Sequence, residues 1–407
     1  MKLKDIVTFV SKSVVPQRGA KYNLYSLPSF DENKSAEVLD GAEIQSNKYD
    51  VPNKCILFNK LNVRFKRVWR INNSDSNKIA STEFLPLVVN EDVVDYQYCY
   101  YLLISDEITN YLCGQNSNTS GSHKRIDPQN FLNIDIHLPK MPIQKAIGKT
   151  LSNIDRKIEL NKRINDNLEA MAKQLYDYWF VQFDFPNEEG KPYKSSGGVM
   201  VWNEKLKREI PQGWHCGTLL DIAEYTNGLA CQKYRPTDNN KLPVIKIKEM
   251  HDGLSADTEW VKADIPDDVK VFDGDVLFSW SASLEVMLWA YGNGGLNQHI
   301  FKVTSKNGYP RSFYFYQLIH YVGVFKQIAE ARKTTMGHIT QDHLRQSTIA
   351  LPPNIDVANK LEEKLCPIFD AIVKNNQEIM ALTKQRDELL PLLMNGQASV
   401  NYHLSDD

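Results

Sequence analysis

A chain of 407 residues, 42% of them hydrophobic and 24% charged, is long enough for at least two globular domains and excludes a disordered or fibrous protein. The formal net charge of −2 gives no support for nucleic-acid binding by the molecule as a whole, so any such surface must be a local patch. The sequence shows no signal peptide, no membrane-spanning apolar run and no CxxC pair among its six cysteines. It therefore predicts a cytoplasmic protein with neither a zinc site nor a disulfide framework.

The first candidate binding segment is the basic run KLNVRFKRVWR at Lys60–Arg70. It carries five positive charges and no acidic residue, and two aromatic residues are interleaved with them. On a strand or loop, such a run predicts contacts to DNA phosphates or guanine edges by Arg64, Lys66, Arg67 and Arg70. The alternative interpretation is an edge strand whose charges only keep it solvated and protected from pairing with other chains.

A long polar helix is predicted near the middle of the chain. The stretch Ile154–Tyr176 contains no Gly or Pro and carries a narrow apolar stripe at alternating spacings of four and three residues. The stripe recurs in Ile368–Leu390, and this spacing is typical of a coiled-coil seam. The predicted helix–helix contacts are Ile154, Ile158, Asn161, Leu168 and Leu175 in the first copy and Ile368, Ile372, Asn375, Leu382 and Leu389 in the second. Asn161 and Asn375 are predicted to fix the register.

Two prolines distinguish the second helix from the first. Proline removes a backbone donor and clashes with the preceding helical turn. Pro367 is therefore expected to kink or break the second helix. Pro391 is expected to end it, which would leave Leu393 outside the seam.

The segments before the two helices also match each other. CILF at 55–58 corresponds to DVLF at 275–278, and RIDPQNFLNIDIHLP at 125–139 corresponds to HITQDHLRQSTIALP at 338–352. The sequence thus indicates a tandem duplication, in which each half is an α+β domain followed by a long helix. The predicted division is domain 1 at 1–140, spacer helix 1 at 141–182, a Pro-, Gly- and Ser-containing connector at 183–212, domain 2 at 213–352, spacer helix 2 at 353–396 and a tail at 397–407.

Further basic candidates lie outside the first run. The segment VIKIKEM in the second half is predicted to place Lys246 and Lys248 on one face of a strand. Two loops at equivalent places in the halves add Lys124 and Arg125, and Arg332 and Lys333. The counterpart of the first basic run, WSASLEVMLWA, is not basic. If both domains bind DNA, they do so with different side chains.

Two similar domains joined by paired helices suggest a molecular ruler. In an antiparallel pair the domains would lie at opposite ends, related by a pseudo-twofold axis. The seam of roughly 50 Å, at about 1.5 Å per residue, is on the order of 1.5 turns of B-DNA. Such a protein could contact two half-sites on one duplex. The alternative is a two-headed coiled-coil scaffold that binds only proteins.

No catalytic or metal-binding motif is found. IGKT at 147–150 lacks the upstream glycine of a phosphate-binding loop, and no Asn-Pro-Pro-aromatic run marks an amino-methyltransferase pocket. The segments GKPYKSSGGVMVWNEKLKREIPQGW, LLDIAEYTNG, VFDGDVLFS and HITQDHLRQSTIALPP, together with the duplicated layout, resemble the specificity (S) subunit of type I restriction-modification enzymes. The resemblance covers nearly the whole chain.

This resemblance implies two target recognition domains that read a bipartite asymmetric sequence in double-stranded DNA. It also implies helical spacers that dock methyltransferase (M) subunits, two in number, and an assembly that restriction/translocase (R) subunits complete. S-adenosylmethionine, ATP and Mg would then be cofactors of the partner subunits, and this chain would be non-catalytic. An inactive, orphan S-like protein would have the same sequence features.

Overall fold

The computed structural model describes residues 1–115, 125–281, 283–331 and 339–400. The chain divides into two compact units. Unit 1 comprises Met1–Lys157 and Leu382–Asp407, and unit 2 comprises Ile158–Ala381. Each long helix therefore contributes its first part to one unit and its last part to the other.

Unit 1 mixes short strands with helices. Its strands are β1 (Val7–Phe9), β2 (Ser13–Val14), β3 (Lys21–Tyr25), β4 (Glu37–Asp40), β5 (Lys48–Asp50), β6 (Lys54–Asn59), β7 (Val68–Asn72), β8 (Lys78–Ala80) and β9 (Phe84–Val89). Its helices are α1 (Leu27–Glu32), α2 (Tyr96–Leu103), α3 (Asp106–Gln115), α4 (Pro128–Leu132) and the start of α5 (Met141–Tyr176). Short 3₁₀ turns lie at Leu3–Asp5, Gly41–Glu43 and Val63–Phe65.

Unit 2 is built in the same way. Its strands are β10 (Met200–Asn203), β11 (Arg208–Pro211), β12 (His215–Thr218), β13 (Ala223–Asn227), β14 (Lys241–Ile245), β15 (Trp260–Lys262), β16 (Lys270–Val271), β17 (Val276–Ser279), β18 (Glu285–Leu288), β19 (Gly294–Leu296), β20 (Ile300–Ser305) and β21 (Thr348–Leu351). Its helices are α6 (Leu219–Ile222), α7 (Ile247–Asp252), α8 (Arg311–Ala331), α9 (Gln341–Gln346) and most of α10 (Asp356–Met394). A π-helical turn, Asp177–Val181, follows α5, and 3₁₀ turns lie at Cys231–Lys233 and Asp267–Val269.

The sheets of the two units have the same strand order, apart from β2, a fifth strand in unit 1 that has no counterpart in the corresponding sheet of unit 2. In unit 1 the orders are β1-β9-β6-β7 and β4-β3-β8-β5-β2, and in unit 2 they are β13-β20-β17-β18 and β15-β14-β19-β16. The parallel pairing also recurs, since β3 pairs with β8 and β14 pairs with β19 in parallel. A shared order that includes the same parallel pair confirms the predicted duplication and the α+β fold class.

The connector contains an element that its composition did not predict. Strands β10 and β11 form an antiparallel hairpin, with Met200 opposite Pro211 and Asn203 opposite Arg208. Phe185 stacks on both Tyr193 and Trp214, with ring centroids 4.8 Å and 5.3 Å apart. Aromatic stacking of this kind stabilises a segment that the Pro and Gly content alone would assign to a flexible linker.

The long helices join the core of each unit at their buried positions. In unit 1, Ile147 and Leu151 of α5 and Leu393 of α10 belong to one hydrophobic cluster with strands β6 and β9 and helix α2. In unit 2, Ala172 and Tyr176 of α5 share a cluster with a buried row of α10, namely Leu361, Leu365, Phe369 and Ile372. The stripe of each helix therefore packs against a domain as well as against the other helix.

Within each unit the two helices run antiparallel. In unit 2, Asn161 donates to Glu378 and Asn165 donates to Asn376, both at 2.8 Å, so residue numbers rise along one helix as they fall along the other. Asn375 in turn donates to Asn165 at 2.8 Å. Of the predicted contact residues, Ile158, Asn161 and Ile372 are buried, whereas Ile154, Leu168, Leu175, Ile368, Asn375, Leu382 and Leu389 are half-buried.

The expectations that Pro367 breaks the second helix and that Pro391 ends it were wrong, while a kink at Pro367 stays a prediction. Helix α10 extends through both prolines to Met394, and Leu393 is only 5% exposed. An interior proline costs about 3 kcal/mol. Burial of large apolar side chains on either side of Pro367, such as Leu365 and Phe369, contributes a comparable amount, about 1.5 to 3 kcal/mol each. Tertiary packing therefore keeps the helix intact.

Among the described residues, no helix has the length and apolar composition needed to cross a membrane. Within the same ranges, no three His, Cys, Asp or Glu side chains converge on a point where they could hold a metal ion.

Candidate nucleic-acid interface

The β6–β7 connection in unit 1 presents an aromatic ring between two guanidinium groups. β6 and β7 pair antiparallel, and the chain between them turns at Asn62, whose φ of 52° is in the left-handed region that Asn tolerates. The Phe65 side chain is 50% exposed. The guanidinium carbons of Arg64 and Arg67 lie 4.7 Å and 4.9 Å from its ring centroid. The loop thus holds two cations and an apolar surface together on its exposed side.

The cations of this loop differ in their partners. Lys66 pairs with Asp106 at 2.5 Å, and Arg67 makes two hydrogen bonds of 2.7 Å to the carboxylate of Asp31. The Lys66–Asp106 pair is exposed, and such a pair contributes about 0 to 1 kcal/mol and can be exchanged for a phosphate. The Arg67 side chain is only 19% exposed, so its pair with Asp31 is held more firmly. Arg64 is exposed and forms no ion pair with any residue that the structure describes. It is the member of the run best placed to meet a phosphate or a base.

Arg70 lies instead in an internal network of unit 1. Its guanidinium group donates to Gln97 at 2.6 Å and to Asp155 at 3.4 Å, and it stacks 4.2 Å from the centroid of Tyr100. The Arg70 side chain is 27% exposed. A DNA contact by Arg70 stays a prediction, and it would compete with these internal bonds.

Arg125 is fixed beside the same loop. It makes a bidentate ion pair with Glu83, with distances of 2.7 Å and 3.0 Å. The Glu83 carboxylate raises the pKa of the Arg125 guanidinium group by hydrogen bonding and by its charge. The Ile126 amide donates to the Lys60 carbonyl at 2.9 Å, which ties the segment after residue 124 to the β6–β7 connection. The other three loop candidates, Lys124, Arg332 and Lys333, lie outside the described residues.

Contrary to the prediction from the sequence, Lys246 and Lys248 of unit 2 do not lie on a strand. Strand β14 ends at Ile245, and Lys246 is the residue that caps helix α7. Its backbone N–H donates to Glu249, so the capping bond ends the strand there. The Lys246 side chain pairs with Glu259 at 2.5 Å and lowers the pKa of that carboxyl, while Lys248 lies 3.9 Å from Asp257.

Unit 2 has a neutral polar cluster where unit 1 has the basic loop. The Ile339 amide donates to the Trp280 carbonyl at 3.0 Å, matching the bond from Ile126 to Lys60 in unit 1. Trp280 Nε1 donates to Asn227 Oδ1 at 3.1 Å, and the Trp280 and His299 ring centroids are 5.7 Å apart. Asn227 and His299 are exposed, and Trp280 is half-buried.

No member of this cluster carries a fixed charge, so the pattern of basic residues in the sequence does not point to it. The signal that could have found it is the internal repeat. The match of CILF with DVLF aligns Lys60, two residues beyond the first segment, with Trp280, two residues beyond the second. The equivalent backbone bonds show that these two positions correspond in three dimensions.

Comparison with known proteins identifies the family. The model of the type I restriction modification DNA specificity domain matches residues 1–170 and 211–385. The type I restriction enzyme MjaIX specificity subunit of Methanocaldococcus jannaschii is 25% identical over 335 residues, which cover 80% of this chain and 74% of that protein. The HindI specificity subunit of Haemophilus influenzae is 23% identical over 425 residues, which cover 86% and 90%.

A solved structure shares the fold. The crystal structure of a type I restriction-modification system S subunit from M. genitalium superposes with a TM-score of 0.59 at 13% identity, over 97% of this chain and 95% of that one. The two matched segments of the family model contain the duplicated sheets and most of both long helices. The chain therefore belongs to the family of type I restriction modification DNA specificity domains.

Proposed function

We propose that this DNA-recognition subunit reads a bipartite, asymmetric site in double-stranded DNA, with one half-site read by each of its two α+β domains. The observation that carries the proposal is the pair of equivalent loops. The same backbone bond holds both loops, yet the loop of unit 1 presents Arg64, Phe65 and Arg67. The loop of unit 2 presents Trp280, whose neighbours Asn227 and His299 come from the adjoining ends of β13 and β20. Two domains with the same fold but different side chains at the DNA-facing loop would recognise different half-site sequences.

The long helices would set the gap between the half-sites. They contain 36 and 39 residues, and in unit 2 hydrogen bonds from Asn161 to Glu378 and between Asn165 and the Asn375–Asn376 pair align one helix against the other. Buried polar pairs are the best-known device for fixing register in paired helices. Under this proposal, the spacer and domain limits predicted from the sequence, 141–182 and 353–396 for the helices, mark the functional parts.

A second apolar stripe, on α5 and the π-helical turn that follows it, is the proposed docking site for a methyltransferase subunit. It consists of exposed side chains spaced four, seven, seven and three residues apart, namely Leu160, Ile164, Met171, Tyr178 and Val181, which are 51%, 38%, 58%, 36% and 42% exposed. Steps of four, seven and three residues follow a second heptad seam, which would accept a further helix. Five exposed large apolar side chains, three on α5 and two on the π-helical turn after it, are typical of a protein interaction site.

The remaining components would come from partners. As a specificity subunit the chain is the non-catalytic, DNA-recognising member of its complex. S-adenosylmethionine would bind the methyltransferase subunits, two per complex, and ATP and Mg would bind the restriction subunits. The scaffold alternative lacks a comparable observation, because it gives no reason why two loops held by the same backbone bond carry basic side chains in unit 1 and neutral polar ones in unit 2.

Methylation sequencing of host DNA tests the proposal, with this chain present or deleted and its methyltransferase co-expressed. The expected result is a two-part methylated motif that disappears when the chain is deleted. A purified complex should also prefer the motif duplex over a scrambled duplex by about 4 to 10 kcal/mol at moderate salt. Equal binding to both duplexes would show that the chain is a scaffold or a non-specific binder.

A further inference from the structure

We propose that unit 2 reads base edges with Asn227 and His299, and that Trp280 is the positioning residue that holds the Asn227 amide in its reading orientation. The inference rests on the proposed function, which it deepens by assigning the side chains of the second half-site. It places specificity in a neutral cluster rather than on the lysines of unit 2.

The three side chains lie at the ends of three neighbouring strands. Asn227 is the last residue of β13, Trp280 follows β17, and His299 precedes β20. β20 pairs with both β13 and β17, so the adjacent ends of three hydrogen-bonded strands carry the cluster. Side chains mounted on paired strands are held more firmly than side chains on a free loop.

Gly228 allows the chain at the end of β13 to pass close to the backbone of Asn297. A Cβ atom at this position would lie 2.3 Å from the Asn297 carbonyl oxygen, a distance that no side chain tolerates. The flanking amides of Gly228 and Leu229 donate to Ile300 and Leu296 at 3.1 Å and 2.8 Å. The end of β13 is thereby fastened against the turn that carries His299.

The indole of Trp280 is itself immobilised. Its ring lies 5.8 Å from that of Phe301, a member of the unit 2 core. Because the indole Nε1 can only donate, its 3.1 Å bond identifies the bonded Asn227 atom as the carbonyl oxygen and turns the amide nitrogen the other way. The oxygen keeps a second lone pair, and within the described part of the chain the Asn227 Nδ2 group has no hydrogen-bond partner.

The Asn227 amide, with an Nδ2 donor and an Oδ1 lone pair that are free among the described residues, has the groups that are needed to hydrogen-bond to a base. An Asn side chain reads a base edge in the major groove by accepting one hydrogen bond and donating another. His299 adds an exposed imidazole beside it, with one ring nitrogen 3.4 Å from the Gln298 amide nitrogen. In the sequence-specific family to which the chain belongs, exposed polar groups on a rigid strand edge are what direct readout requires.

The experiment uses the full chain co-expressed with its methyltransferase, and it reads the methylated motif by sequencing. Asn227→Ala and His299→Ala are each expected to relax one or two base pairs in a single half-site, with discrimination falling about tenfold or more. The other half-site should stay unchanged. Asn240→Ala, at an exposed asparagine of the same unit, is the matched control and should leave both halves intact.

The positioning role has its own variant. Trp280→Phe keeps a ring against Phe301 but removes the Nε1 donor, so it should relax the same base pair as Asn227→Ala at an unchanged melting temperature. Trp260→Phe, at an exposed tryptophan of the same unit, is the control and should not change the motif. If the Trp280→Phe variant has a lowered melting temperature, the substitution is repeated in the Asn227→Ala background. A positioning role predicts no further relaxation of the motif there, whereas a general loss of structure predicts further relaxation.

The outcomes separate the two proposals. A wild-type chain that yields no two-part motif would overturn the proposed function. A wild-type motif that stays fully specific in folded Asn227→Ala and His299→Ala variants would overturn this inference alone. Relaxation by Asn227→Ala without any effect of Trp280→Phe would retain the base contact and reject the positioning role.

Discussion

Asp155 of α5 forms an ion pair with Arg386 of α10, in which Arg386 Nη1 donates to Asp155 Oδ1 at 3.1 Å. The other carboxylate oxygen of Asp155 accepts from the Tyr101 hydroxyl at 2.5 Å and from Arg70 at 3.4 Å. One carboxylate therefore fastens both long helices to the domain of unit 1. The side chains of Asp155, Arg70 and Arg386 are 18%, 27% and 28% exposed, so solvent screens this network only in part.

We expect Asp155→Asn to lower the free energy of unfolding by about 1 to 3 kcal/mol, because the half-buried Arg70 loses its carboxylate partner and Arg386 keeps, among the described residues, only the exposed Asp387. Urea unfolding followed by circular dichroism measures the loss. Asp387→Asn is the matched control. It also removes a partner of Arg386, but Asp387 is 60% exposed, and its loss should cost less than about 0.5 kcal/mol. Equal costs for the two variants would contradict the role assigned to Asp155.

We expect Arg64→Ala to weaken DNA binding and to reduce the dependence of log K on log salt by about one, because one phosphate contact is lost. Since Arg64 is exposed and lacks an ion pair among the described residues, the melting temperature should not change. Fluorescence anisotropy over a salt series measures both the affinity and the slope. Arg18→Ala, at an exposed arginine in the β2–β3 turn, is the control. The same loss in both variants would indicate a general charge effect instead of a contact.

We expect Asn165 and Asn375 to be coupled. Asn165→Ala should cost about 1 to 2 kcal/mol, because Asn165 is 6% exposed and its loss leaves the amides of Asn375 and Asn376 unpaired. A double-mutant cycle with Asn375→Ala should give a coupling energy of about 1 kcal/mol. Additive effects in this cycle would mean that the bond does not contribute to the pairing of the helices.

We expect Met171→Glu to abolish copurification of the methyltransferase subunit while the chain stays folded. The substitution places a charge in the centre of the exposed apolar stripe, where a docked helix would bury it. Pull-down from a co-expressing host measures the association. Lys162→Glu changes an exposed residue on another face of the same helix and should retain the partner. Retention by both variants would place the docking site elsewhere.

We expect stability to fall at alkaline pH. Burial raises the pKa of Tyr98 to about 12 and that of Tyr314 to about 12, above the unfolded value of 10.0. Below about pH 10 both states keep the phenol proton. Above it the unfolded chain loses the proton first, so the free energy of unfolding falls by up to about 1.4 kcal/mol per pH unit for each such tyrosine until the folded pKa is passed.

Tyr98→Phe should reduce this dependence of stability on pH, and Tyr111→Phe, at an exposed tyrosine, should not. Urea unfolding between about pH 8 and about pH 11 checks the slope.

The sequence by itself determined the duplication, the α+β class and the two long helices. Apolar spacing reports helices and strands because their periodicity is a local property of the chain. A repeated order of such segments then predicts a repeated fold. The match between the segments at 55–58 and 275–278 predicts that β6 and β17 occupy equivalent positions, as they do in the two sheets.

Only the tertiary structure decided what individual side chains do. Pro367 stays inside a helix because its neighbours are buried against unit 2, and no local rule contains that energy. Arg64 and Arg70 belong to one basic run, yet Arg64 stays exposed while Arg70 meets Asp155, 85 positions away in the chain. The partner of a charged group depends on residues that folding brings near, so the pattern could identify the loop but not its working residues.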